Sequence, residues 1–247
     1  MPTSRQSKAE DATQELLNNM LRNFDDGERL RNLPLFLRQK DLAHILFLAE
    51  IYRKIVEVPG YIAEFGVMWG RNLNLFHCLR ECYEPYNHTR RLIGFDTFSG
   101  FVGTTEEDQG SGEADLYQSG AYSVPEGHLG DLTALLRTQE ATSHLSHIER
   151  FELVQGDVIE TVPNYLSQNP HVFLALCYFD LDLYKPTKAV LEAIKGRLVK
   201  GSVLVFDELL NGDHPGETAA VDEIFGLENM KLRRSALSGW KTYLVMP

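Results

Sequence analysis

From Tyr61 onward, short apolar runs alternate with helical stretches, and this alternation commits the chain to βαβ units built on a parallel sheet. The expected strands are Tyr61 to Phe65, Arg91 to Phe95, Phe151 to Gln155, Val172 to Phe179 and Ser202 to Phe206. At the end of the chain, Met230 to Arg234 and Trp240 to Val245 flank Ser238-Gly239, the pattern of a closing antiparallel hairpin. The sum is an α/β fold with a mostly parallel seven-stranded sheet, helices on both faces and an antiparallel C-terminal hairpin. In such open sheets, ligands sit outside the carboxyl ends of the strands, which is where this chain places acids and glycines.

Two amphipathic helices are expected ahead of that core. One carries Leu16, Leu17, Met20, Leu21 and Phe24; the other carries Leu42, Ile45, Leu46, Ala49, Tyr52 and Val56, with Asp41 as its cap. Residues 1–58 therefore read as a helical extension, serving as a lid or as a contact in a homodimer or higher homo-oligomer. Residues 59–247 read as the ligand-binding domain, and 247 residues suffice for one such domain with decorations. Between Thr97 and Ser123 lies a stretch rich in Gly, Ser and acids, with Gly100, Gly103, Gly110, Gly112 and Gly120. Its two readings are a lid or binding loop and plain disorder.

Bulk properties remove several classes of function. No apolar run approaches the ~20 residues a bilayer span needs, so no membrane role is expected. Met1 to Glu10 is polar and lacks the apolar core of a secretory signal, which gives a cytoplasmic expectation. A formal net charge of −11 repels phosphate backbones, and the basic pairs Arg90-Arg91 and Arg233-Arg234 are too short a footprint for nucleic acid. The cysteines Cys78, Cys82 and Cys177 are too few for a disulfide framework and read as buried thiols. Trp69, Tyr117, Tyr122, Tyr184 and Trp240 adjoin apolar runs and are expected in the core.

The strongest local signal is Tyr61-Ile-Ala-Glu64-Phe65-Gly66-Val-Met-Trp-Gly70-Arg71-Asn72, a strand entering a glycine turn that opens a helix. Gly66 and Gly70 let the backbone pass close to a ligand, and the new helix offers free amides. A dinucleotide site requires a second glycine two residues after the first, where this chain has Met68, so a pyrophosphate cradle is disfavoured. The E-x-G-x-x-x-G spacing instead resembles motif I of class I methyltransferases, which implies S-adenosylmethionine above Glu64, Phe65, Gly66, Gly70 and Arg71. One βα unit later, Leu92-Ile-Gly-Phe-Asp96 ends in a carboxylate placed to accept from a ribose diol, unless it only caps its own turn. Val154-Gln155-Gly156-Asp157 ends the next strand, where Asp157 can accept from the adenine amine and also cap the following helix.

The most informative cluster is Phe179-Asp180-Leu181-Asp182-Leu183-Tyr184, after a very apolar strand. Carboxylates at i and i+2 in such a place are costly unless paired, hydrogen-bonded or bound to a cation. One strand later come Asp207 and Glu208, and if the two strands are neighbours, Asp180, Asp207 and Glu208 form a hard-oxygen set suited to Mg²⁺. The alternative is a set of helix caps on a solvated rim.

Together, Glu64-x-Gly66, Phe95-Asp96, Gln155-Gly156-Asp157, Asp180-Leu-Asp182-Leu-Tyr184 and Asp207-Glu208 resemble the macrocin O-methyltransferase (TylF/MycF) family of Rossmann-like class I enzymes. The resemblance runs from about Tyr61 to the C-terminus. It implies methylation of a hydroxyl on a sugar or glycosylated natural product, with Asp180, Asp207 and Glu208 as Mg²⁺ ligands, Asp180 also contacting the cofactor, and Asp182 as general base. The chain departs from the family in having Asp-Glu where an Asp-Asp pair is usual. Pro215-Gly216-Glu217-Thr218 then reads as a substrate loop, with His214 as an alternative base. Rival readings are a catechol-type O-methyltransferase, an N-methyltransferase and a non-catalytic nucleotide-binding protein of the same fold.

Overall fold

The structure, a computed structural model, describes residues 8–109 and 119–247. Gly110, Gly112 and Tyr117 lie outside the described residues, as does that part of the expected 97–123 loop. The chain forms two compact units, Met1–His44 and Ile45–Pro247. In the first, α1 (Lys8–Leu21) and α2 (Asp26–Arg31) are followed by a tight turn at Leu33–Phe36 and by the start of α3 (Gln39–Ile55). Of the expected α1 stripe, Leu17, Met20, Leu21 and Phe24 are half-buried and Leu16 is exposed; Phe24 meets the edge of Phe36 at 5.4 Å.

Helix α3 corrects two expectations. Asp41 lies in its first turn and reaches back to the Arg38 backbone N–H and guanidinium, so it fastens the helix start from inside. The buried stripe is Phe47, Leu48, Ile51, Tyr52 and Ile55, whereas Leu42, Leu46 and Val56 are exposed. The helix is apolar around much of its girth, so its periodicity alone offers two overlapping stripes.

The second unit carries β1 (Tyr61–Phe65), α4 (Arg71–Tyr83), β2 (Leu92–Asp96), α5 (His128–Glu140), β3 (Phe151–Gln155), α6 (Val158–Gln168), β4 (Leu174–Phe179), α7 (Tyr184–Ile194), β5 (Leu198–Phe206), α8 (Gly216–Phe225), β6 (Arg233–Arg234) and β7 (Thr242–Val245). The sheet order is β3-β2-β1-β4-β5-β7-β6, parallel up to β5 and antiparallel through the closing hairpin. This is the Rossmann-like arrangement expected. The sheet separates two cores with the period of two that strands impose. Ala63, Phe65, Ile93, Phe95, Cys177 and Phe179 join α6, α7 and α8 on one face. Ile62, Leu92, Leu176 and Tyr178 join α3, α4 and α5 on the other. Burial on both faces explains why β4 reads as an unbroken apolar run.

At the amino ends of the strands, three fully buried arginines collect backbone carbonyls and carboxylates. Arg90 donates to the Gly60, Ile55 and Val58 carbonyls and pairs with Glu84, which also accepts from Tyr52 at 2.6 Å. Arg80 and Arg150 share Glu140 and Glu81. Burial pushes the Glu84 and Glu140 carboxyls up, but the bonds from Arg90 and Tyr52, and from Arg80 and Arg150, outweigh it and hold both below their ordinary range. Their stabilisation is therefore present above the unfolded carboxylate pKa of about 4.3 and is lost as pH falls through the lower folded values. Glu140→Gln leaves two buried guanidinium groups short of a counter-charge and is expected to cost about 3–5 kcal/mol at neutral pH. Chemical denaturation measures this, and the variant's stability should depend less on pH on the acid side than the wild type's.

Contrary to the buried-thiol expectation, only Cys177 is buried; Cys78 and Cys82 are exposed on α4. Trp69 and Trp240, expected in the core, are 53% and 62% exposed. Among the described residues, no helix is long and apolar enough to cross a membrane.

Candidate active site

The sheet ladder runs one residue past each strand, and this is what assembles the site. Gly66 N–H bonds the Phe95 carbonyl (2.9 Å), Gly156 N–H the Asp96 carbonyl (2.9 Å), Asp180 N–H the Phe65 carbonyl (2.9 Å) and Asp207 N–H the Phe179 carbonyl (3.0 Å). The residues that follow β1, β3, β4 and β5, and Asp96 at the end of β2, thus stand side by side along the carboxyl edge. Gly66 has φ +91, and a Cβ there would lie 1.9 Å from the Asp180 carbonyl oxygen, so only glycine lets β1 turn away so close to β4.

Over this edge opens a cavity of 350 Å³. Of the residues expected at a cofactor, Gly66, Asp96, Asp157 and Asp180 line it, as does Asp182. Glu64, Phe65, Gly70, Arg71 and Gly156 do not. Phe65 is fully buried, its ring packed against Phe95 and Phe179 at 5.5 and 5.0 Å, so it supports the floor through the core. Glu64 is buried beneath the turn, bonded to Asn72, with one oxygen lacking a partner; burial first, then the charge of Asp96, raises its carboxyl well above the usual range. Gly70, in the left-handed region, starts α4.

Asp96 accepts from two turns at once, Met68 N–H at 2.8 Å on one oxygen and Phe98 N–H at 2.5 Å on the other. Capping and cavity-lining are therefore simultaneous. Asp157 likewise caps α6 through Ile159 N–H at 2.9 Å while facing the cavity.

Around the ends of β4 and β5 lie Asp180, Asp182, Asp207, Glu208 and Glu217. Asp182 has a strained backbone, φ +59, and its carboxyl is pushed up to about 8 by burial, then by Glu208 and Asp207. Burial, Asp207 and Asp182 raise Asp180 well above the ordinary range, while Lys241 pulls the other way. Glu208 is raised chiefly by burial, and its side chain accepts from Asn211. Asp207 accepts from Tyr178 Oη at 2.5 Å and pairs with Lys241 Nζ. These five carboxylates offer only hard oxygens, and Lys241 bonds one of them, Asp207.

Sequence reasoning missed several of these parts. Glu217 and Thr218, expected on a substrate loop, are in the first turn of α8; they hold the loop after β5 by accepting from Glu208 N–H (3.0 Å) and Leu210 N–H (2.8 Å). Pro215 with an acid two residues on, Glu217, is a helix-start signal that marks this correction in the sequence itself. Asp108 was unmarked: buried, it closes a capping box with Thr105 and accepts from Tyr184 N–H at 2.6 Å, fastening the 97–109 segment to the start of α7. Gly216 is the residue that lets α8 pass, since a Cβ would meet Asp108 Oδ1 at 2.3 Å. Tyr122, set aside as core, lines the cavity.

Among the described residues, the one trio of His, Cys or acid side chains whose ligand atoms lie within 4.8 Å of one another is His77, Glu81 and Glu140. Arg80 and Arg150 already neutralise those carboxylates, and that cluster sits at the opposite edge of the sheet from the cavity, so it is an ion-pair network. Asp180, Asp207 and Glu208 are not drawn together that tightly.

No family model and no curated protein sequence matches the chain. Solved structures do. The crystal structure of CalS11, a calicheamicin methyltransferase, is 43% identical over 98% of this chain and 95% of that one, with a TM-score of 0.93. An apo structure of CalS11, described as a TDP-rhamnose 3'-O-methyltransferase in calicheamicin biosynthesis, is 41% identical over 98% and 96%, with a TM-score of 0.86. The O-methyltransferase NovP shares the fold at 18% identity, with a TM-score of 0.62 over 83% of this chain and 79% of that one.

Proposed function

Because the chain belongs to the macrocin O-methyltransferase (TylF/MycF) family of S-adenosylmethionine-dependent methyltransferases, we propose that it methylates a sugar hydroxyl, with a deoxysugar nucleotide such as TDP-rhamnose as the acceptor class. The observation that carries this is the likeness, over nearly the whole of both chains, to an enzyme described as a TDP-rhamnose 3'-O-methyltransferase.

The residues fit both small partners. The cavity beside the Gly66 turn suits the cofactor: Asp96 would accept from the ribose and Asp157 from the adenine, while Met68, Phe101 and Ile159 line the same space. The acidic cluster suits a hard divalent cation such as Mg²⁺, since its donors are all oxygen and the fully buried Glu217 leaves one oxygen without a partner. Asp180 and Glu208 would hold the ion, with Asp207 beside them. When bound, the cofactor supplies an electrophilic methyl on its sulfonium, and the cation lowers the pKa of an alcohol near it. Asp182, at the cavity wall and held by its turn, would accept the proton of the acceptor hydroxyl as that oxygen takes the methyl and S-adenosylhomocysteine leaves.

Purified protein given S-adenosylmethionine, Mg²⁺ and TDP-rhamnose is expected to yield a mono-O-methylated sugar nucleotide by mass spectrometry, and EDTA is expected to suppress it. Turnover of catechols in preference to sugars would replace the acceptor reading. Undiminished turnover in EDTA would remove the metal.

A further inference from the structure

The closing hairpin brings one basic side chain into the acidic cluster. In the antiparallel pairing of β5 with β7, Phe206 faces Thr242, so the next residues outward, Asp207 and Lys241, stand opposite each other. Lys241 is only 9% exposed. Its Nζ donates to Asp207 Oδ1 and to Tyr178 Oη (2.9 Å), and lies 5.6 Å from the centre of the Tyr178 ring. Tyr178 is itself fully buried and donates to the same Asp207 oxygen, so lysine, phenol and carboxylate fix one another.

We propose that Lys241 is a tethered counter-cation: it holds Asp207, balances part of the charge of the acidic cluster, and competes with the divalent ion that the cluster accepts. The inference rests on reading the cluster as a cation site. Two observations and one physical argument support it. Lys241 enters this group of carboxylates through the hairpin register and bonds Asp207 directly, next to Glu208 and one strand from Asp180. Glu217, with no exposure at all, keeps an unpartnered oxygen among these acids, so the lysine does not satisfy them fully. A fixed positive charge beside the ligands repels a second cation and occupies an oxygen that the ion would otherwise share.

Lys241 is thus a positioning residue whose function is separable from structure. Loss of a purely structural contact would weaken ion binding or leave it unchanged; loss of a competing cation strengthens it. Mn²⁺ is the probe, titrated into EDTA-stripped full-length protein and followed by electron paramagnetic resonance, with thermal melts in parallel. Lys241→Met is expected to bind Mn²⁺ about tenfold more tightly or better, to melt below wild type in EDTA, and to regain that loss when Mn²⁺ is added. Lys241→Gln serves if the methionine variant does not fold, and Lys241→Arg, which keeps the charge, is expected to retain wild-type affinity. If wild type binds Mn²⁺ and neither neutral variant binds it more tightly, the proposal falls and the metal reading stands. If only the neutral variants bind, Lys241 excludes the ion and the metal reading falls. If none binds, both fall.

Discussion

In Asp96→Ala, the dissociation constant of S-adenosylhomocysteine is expected to rise at least about 100-fold. Both carboxylate oxygens already accept backbone N–H groups, from Met68 and Phe98, two residues held at φ +48 and +56. The carboxylate still faces the cavity with unused lone pairs, which are what a ribose diol requires. Alanine therefore removes two kinds of bond together: those that shape both turns and those that would hold the ligand. At roughly 1.5–3 kcal/mol for each hydrogen bond to a charged group, losing two to the ligand alone costs about 3 kcal/mol or more. Calorimetric titration at neutral pH reads this directly. Asp96→Asn separates the contributions, since its one remaining carbonyl oxygen can satisfy either Met68 or Phe98 but not both. Binding of Asp96→Ala within a few-fold of wild type would withdraw the ribose role, whereas no binding by the wild type would withdraw the cofactor from this cavity.

The cavity-lining positions that sequence makes legible are local ones: Gly66, Asp96 and Asp157 each sit at the junction of a strand and a turn, and apolar periodicity marks where each strand stops. The second half of the site depends on partners far apart in the chain. Lys241 meets Asp207 only through the hairpin register, and Asp108 reaches Tyr184 across 76 positions. The three buried arginines fail for the same reason. Arg80, Arg90 and Arg150 look like solvated charges until the amino ends of the strands gather carbonyls around them. The rotated stripe of α3 has another cause: a helix with apolar residues on several faces does not say which face the sheet will cover. The expectation that Trp69 and Trp240 lie inside rests on the apolar runs beside them. Their exposure, with Trp69 edge-on to His128 at 4.9 Å, follows from their place in turns at the carboxyl edge.

The largest effect is expected at Asp182. Asparagine has nearly the shape of aspartate and tolerates a positive φ better than most residues, so Asp182→Asn should keep the turn between β4 and α7. It cannot accept a proton. On the proposed mechanism, kcat falls by roughly 10²–10⁴ while cofactor affinity stays within about threefold. Stability should move the other way. The native carboxyl is raised to about 8, so its contribution to folding is full only below the unfolded value of about 3.9 and is lost as pH rises through 8. Neutral asparagine carries no such loss, and in metal-free protein the variant is expected to outlast the wild type in thermal melts at pH 8 and to differ less at pH 5. A residue that lowers stability through a strained backbone and a crowded charge, and whose replacement stabilises the protein but stops the reaction, is retained for chemistry. If Asp182→Asn instead loses cofactor binding and stability together, the residue shapes the turn, and the proton must leave through another group at the cavity wall.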